Sequence, residues 1–130
     1  MIELNCTYEE SKKILELGYD FSEICTEWQD RELSTPCIAD KYKLPETACP
    51  IIPKDALEKC LPDYLYVKDF YGELDRSRFV KKLCNGMIYL NSQDSERVSR
   101  EWFRTAFEAF IWCHENYPEE LREKFEEVMK

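Results

Sequence analysis

The stretch Ser99–Tyr117, SREWFRTAFEAFIWCHENY, constrains this chain more than any other. Its apolar residues recur at helical spacing through Trp102, Phe103, Ala106, Phe107, Phe110 and Cys113. A stripe of rings that broad must be buried, so the spacing predicts a core-making helix over residues 99–117. The rest of the chain has to supply a surface for it to lie on. With 130 residues the chain suits a single domain, 1–130, and a domain of that size buries roughly 65–70% of the surface its unfolded chain exposes. Hydrophobic residues at 44% and charged residues at 35% give a globular balance, not the apolar-poor recipe for disorder.

The surface is expected from what precedes the stripe. Thr7-Tyr8-Glu9-Glu10 reads as a capping box, and the helix after it buries Ile14 and Leu15 and stops at Gly18, where a left-handed conformation ends the helix. Asp20 or Ser22 is placed to cap a second short helix marked by Phe21, Ile24, Cys25 and Trp28. Pro36, Pro45 and Pro50 interrupt any helix between Ser34 and Pro53, and Cys37–Tyr42 reads as an edge strand. Pro53 opens a docking helix, PKDALEKCL, with Ala56, Leu57, Cys60 and Leu61 on one side.

Strands come next. Tyr64–Phe70 alternates, with Leu65, Val67 and Asp69 facing one way and Tyr64, Tyr66, Lys68 and Phe70 the other. Arg78–Cys84 and Met87–Leu90 flank Asn85-Gly86, the dipeptide favoured in two-residue hairpin turns, which predicts an antiparallel meander. A competing pattern sets Phe79, Val80 and Leu83 on a helix stopped by Gly86. Pro118 begins a last helix, PEELREKFEEVMK, with a narrow stripe of Leu121, Phe125 and Val128. The expected class is α+β: a small, mostly antiparallel sheet of three or four strands packed against the long helix of the carboxy-terminal half, with amino-terminal helices beside it.

Charge and cysteines narrow the function classes. The net charge is −9, distributed unevenly: residues 1–35 hold nine acids and three bases, whereas residues 72–92 hold two acids and four bases. A negative overall field repels phosphate backbones, so nucleic acid is disfavoured unless bases gather on one face. The seven cysteines are odd in number and contain no close pair, which is not a disulfide framework. The opening MIELNCTYEESKK has no basic segment before an apolar run. No stretch approaches the roughly 18 apolar residues of a membrane span. The expectation is a cytoplasmic protein with reduced thiols and no membrane contact.

A family likeness sits on five motifs: KKILELGYD, IPKDALEKCLP, YLYVKDF, NGMIYL and AFEAFIWCHEN. Together they resemble a loose family of small uncharacterised proteins from prophage-like and mobile elements of gut bacteria, over Lys12 to about Tyr117. The chain departs from that pattern by an insertion near Tyr71–Arg78 and by the charged helix after Pro118. The resemblance implies a helix-and-sheet fold and a mobile-element setting, and it carries over no functional residue.

Candidate chemistry is sparse. Structural zinc asks for paired ligands such as C-x2-4-C, and none is present; Cys25, Cys60 and Cys113 fall on apolar helix faces, where cysteine acts as a small hydrophobe. The one histidine, His114, follows Cys113 directly, and neighbours on a helix point about 100° apart, so a thiol enzyme would need another cysteine such as Cys84 to reach it. Gly18, Gly72 and Gly86 lie too far apart for a phosphate loop. No catalytic residue, metal or cofactor is assigned.

The most promising feature is a possible partner surface of Tyr66, Lys68, Phe70, Arg78 and Lys81, aromatics interleaved with bases. The competing reading is that helices cover both sheet faces and these rings are core. The resulting expectation is a noncatalytic cytoplasmic interaction or regulatory protein of a mobile element, with another protein as partner. The runner-up is a nucleic-acid-binding accessory protein using Arg76, Arg78, Lys81, Arg97, Arg100 and Arg104, and a thiol enzyme comes third.

Overall fold

A computed structural model describes residues 5–25, 27–29, 37–38, 48–68, 72–81, 86–92 and 101–130. The fold is α+β, with four helices and two antiparallel sheets among the described residues. The chain divides into two compact units, Glu3–Ala56 and Leu57–Lys130.

In the first unit, helix α1 (Tyr8–Glu16) starts as its sequence dictates. The Thr7 hydroxyl accepts from the Glu10 N–H at 3.2 Å and the Glu10 carboxylate accepts from the Thr7 N–H at 2.9 Å, which closes the capping box. Gly18 takes a φ of 97° just beyond the helix, a conformation that costs a residue with a Cβ but not glycine. The buried side of α1 is Ile14 with Ser11, while Leu15 is exposed. The expected second helix is absent: the Asp20 carboxylate accepts from the Ser22 N–H at 2.9 Å in a local turn, and Trp28 lies in a strand. Three short strands, β1 (Glu27–Gln29), β2 (Cys37–Ile38) and β3 (Cys49–Pro50), form an antiparallel sheet in the order β2-β1-β3. Cys37 and Ile38 are therefore at an edge, as expected, and the remainder of Cys37–Tyr42 lies outside the described residues. Pro50 also sits on an edge strand, where its missing N–H costs no ladder bond.

Helix α2 (Lys54–Cys60) follows Pro53 and carries the chain into the second unit. There a four-stranded meander, β4 (Leu65–Lys68), β5 (Leu74–Lys81), β6 (Ile88–Ser92) and β7 (Trp102–Phe103), runs antiparallel throughout. The helical alternative for Phe79 and Val80 is excluded by their pairing with Leu90 and Tyr89. Much of the segment set apart as an insertion is β5 itself. Gly86 has a φ of 71° before β6, while Asn85 and Leu83 lie outside the described residues.

The core-making helix is shorter than its apolar spacing predicts. Helix α3 spans Ala106–Asn116, because Thr105 caps it: its hydroxyl accepts from the Glu108 N–H at 3.3 Å, and the Glu108 carboxylate accepts from the Arg104 N–H at 2.8 Å. Trp102 and Phe103 instead pair with Tyr89 and Ile88 as β7. Tyr117 and Pro118 turn the chain into α4 (Pro118–Val128), whose Leu121 and Phe125 are buried and which packs on α3.

Candidate interaction surface

Antiparallel register places cross-strand partners on one face, so the pairings sort the second sheet into two sides. One side holds Leu65, Ser77, Phe79, Leu90, Ile88 and Phe103. Helix α3 seals it through Trp112, whose ring lies 5.3 Å from Phe103 and 6.4 Å from Phe79, centroid to centroid. Leu65, Ile88, Leu90 and Phe103 are all buried.

The opposite side is open. Tyr66 faces Arg76, Lys68 faces Leu74, Arg78 faces Asn91, and Val80, Tyr89 and Trp102 form a row across three strands. Tyr66 is 60% exposed, Leu74 59% and Trp102 42%, so these side chains are not core, while Val80, Tyr89 and Asn91 between them are half-buried. Along β5 this side reads Leu74, Arg76, Arg78, Val80, two bases bracketed by apolar residues. The rings are ordered by their neighbours. Tyr89 and Trp102 stack at 4.6 Å, and the Arg76 guanidinium lies 4.5 Å above the Tyr64 ring. The Tyr117 hydroxyl donates to the Tyr66 carbonyl at 3.4 Å, which occupies an acceptor on the sheet's edge strand; burial holds that hydroxyl protonated by raising its pKa.

Of the five expected surface residues, the structure brings Tyr66, Lys68 and Arg78 to this open side. Lys81 pairs with Ile88 on the other side, and its ammonium lies 2.9 Å from the Glu58 carboxylate of α2. Phe70 lies outside the described residues, as do Arg97 and Arg100. Leu74, Tyr89 and Trp102 were missed as surface members; Leu74 fell in the supposed insertion and Trp102 in the supposed helix.

Beside the β4–β5 pair is a partly open cavity of about 400 Å³. Leu61, Pro62 and Phe79 supply apolar lining, Tyr64 and Arg78 add an aromatic ring and a guanidinium, and Glu58 and Asp63 add carboxylates, so the cavity lies at the rim of the sheet, between Arg78 of the open side and Phe79 of the sealed one. Both acids are engaged: Glu58 by Lys81, and Asp63 by the Lys124 ammonium at 3.2 Å. That leaves Arg78 as the charge in this wall with no ion pair among the described residues.

The five cysteines whose side chains are described, Cys6, Cys25, Cys49, Cys60 and Cys113, are free thiols held protonated by their surroundings. Burial pushes Cys6 and Cys113 up to about 12 and Cys25 and Cys60 up to about 11, and it raises Cys49 as well. A thiol held protonated is a weak nucleophile and a weak metal ligand. Cys113 and His114 are consecutive residues on α3, and Cys84 lies outside the described residues. Among the described residues, no group of three or more His, Cys, Asp or Glu side chains is placed to hold a metal ion, and no helix is long and apolar enough to cross a membrane. No family model matches the chain, and comparison with curated proteins and with solved structures found no match.

Proposed function

We propose that this is a noncatalytic interaction or regulatory protein of the cytoplasm, that the open side of the β4–β7 sheet is where it meets another protein, and that its setting is a mobile element. One observation carries the reading: Tyr66, Leu74 and Trp102 stand exposed with Arg76 and Arg78 on one sheet face, while α3 seals the other. Exposed aromatic and aliphatic side chains on one face suit a contact surface, and tyrosine, tryptophan and arginine are the residues enriched at the energetic centres of protein interfaces.

Nucleic acid fits less well. Lys81 is turned to the sealed side and paired, Tyr89 and Trp102 stack on each other, and Arg76 covers the Tyr64 ring. Ring faces available for base stacking are thereby reduced, and the net charge of −9 opposes a long polyanion. Symmetric self-association through this face is also disfavoured, because the charged strand positions described on it, Lys68, Arg76 and Arg78, are all basic and a second copy brings them no acid.

A photo-crosslinking benzoylphenylalanine installed in place of Tyr66, with the same group in place of the exposed Glu123 of α4 as control, tests the reading in the native host. The expected result is a protease-sensitive, nuclease-resistant adduct from position 66 and none from position 123. Nuclease-sensitive adducts, or equal yields from both positions, contradict it.

A further inference from the structure

Arg78 and the cavity beside it point to a more specific occupant, and we infer that they form a carboxylate-recognition site seating an extended acidic segment of a partner protein on the open sheet face. This rests on the reading of that face as a protein-binding surface. The first argument is charge. The described strand positions on the open side carry Lys68, Arg76 and Arg78 and no acid, on a protein whose net charge is −9. A local basic row in an acidic exterior selects a short anionic segment, which need only be negative where it touches; a long polyanion also meets the surrounding acids.

The second argument is the cavity. Its two carboxylates, Glu58 and Asp63, are neutralised by Lys81 and Lys124. Arg78 lines the same cavity, stands opposite Asn91 in the sheet register, and has no ion pair among the described residues. A guanidinium presents a planar fork of donors that matches a carboxylate in two parallel hydrogen bonds. Leu61 and Pro62 give the space beside it an apolar wall, so an aliphatic side chain of the guest can enter where its neighbouring acid meets Arg78.

The third argument is spacing. Arg76 and Arg78 are two residues apart on β5 and project from the same side, which sets their Cα atoms about 6.6 Å apart. Alternate side chains of an extended peptide repeat at that same distance. Acids at every second position of a guest strand therefore keep step with this row, one of them meeting the Arg78 guanidinium while the next lies near the positive charge of Arg76, and the exposed Tyr66 and Leu74 flank the row.

The test is an NMR titration of the full chain with a labelled dodecapeptide in which glutamate alternates with threonine and one leucine is included for the cavity. The same peptide with lysine for glutamate and a single-stranded oligothymidylate are the other arms. The expected result is salt-sensitive binding of the glutamate peptide alone, with amide shifts at Leu61, Tyr64, Tyr66 and Arg78. The exposed substitution Arg78→Gln should leave the spectrum of the free protein otherwise unchanged and weaken binding about tenfold or more. Equal binding by Arg78→Gln, shifts confined to other surfaces, or the oligothymidylate moving the same amides overturns the inference. Failure of the glutamate peptide while the position-66 photoadduct persists removes this inference alone; loss of both removes the reading beneath it.

Discussion

The Trp102 indole stacks on the Tyr89 ring with centroids 4.6 Å apart and planes 26° from parallel, whereas the next residue, Phe103, points through the sheet to meet Trp112 at 5.3 Å. Two adjacent aromatics thus have opposite energetic roles. Phe103→Ala empties part of the sealed side and should cost about 3–5 kcal/mol. Trp102→Ala loses an exposed cross-strand pair and should cost about 1 kcal/mol. Urea denaturation of both variants checks the contrast, and equal losses would mean that the register assigned to β7 is wrong.

In the first unit, the buried Ser11 hydroxyl accepts from the Ile52 N–H at 3.2 Å, tying α1 to the segment that leads into α2. Ser11→Ala keeps the helix propensity but leaves that buried donor without its acceptor. A loss of about 1–3 kcal/mol is expected by chemical denaturation.

The raised thiol pKa values have a defined consequence for pH dependence. Cys6 and Cys113 bind their protons up to about pH 12 when folded and release them from about pH 9 when unfolded. The unfolded state therefore holds fewer protons between those limits, and stability falls as pH rises through that window. Their contribution is fully present below pH 9. Denaturation midpoints should be insensitive to these thiols from pH 6 to 9 and then decline, with a shallower decline in Cys113→Ala. Thiol-specific labelling of the native protein near neutral pH should be slow at Cys6, Cys25, Cys60 and Cys113 and become fast only in denaturant.

Lys124 is raised above the ordinary lysine range chiefly by its hydrogen bond to Asp63, with burial opposing. The Asp63 side chain is 76% exposed, so solvent screens the pair. Asp63→Asn should cost no more than about 1 kcal/mol, and that cost should shrink in high salt. Because the lysine pKa is raised, the contribution is complete below its ordinary value and disappears as pH climbs past the folded one.

Local signals in the sequence were legible where one residue's chemistry decides the outcome. Thr7 and Glu10 announce their capping box, the alternation from Tyr64 finds β4, and Pro118 opens α4. Trp102 and Phe103 were misread because two rings side by side fit a helical stripe and a strand equally well. Thr105 and Glu108 held the deciding cap signal, but the pairing with β6 is long-range. Trp28 failed likewise: its spacing from Phe21 and Cys25 is helical, yet β1 is defined by partners at Cys37 and Pro50. Alternation along β4 separated Leu65 from Tyr66 without saying which side a helix would cover, so the open face and its cavity became visible only when α3 was placed. Lys81 was misassigned for a related reason, since one strand step moves a side chain to the other face.

The β4–β7 sheet is sealed on one side by α3 and exposed on the other. Hydroxyl-radical footprinting of the isolated protein tests that most directly, by comparing oxidation of Tyr66, Leu74 and Trp102 with that of Phe103 and Phe110. Fast oxidation of the first three and strong protection of the other two is the predicted result; protection of Tyr66 and Trp102 to the level of Phe103 would contradict it.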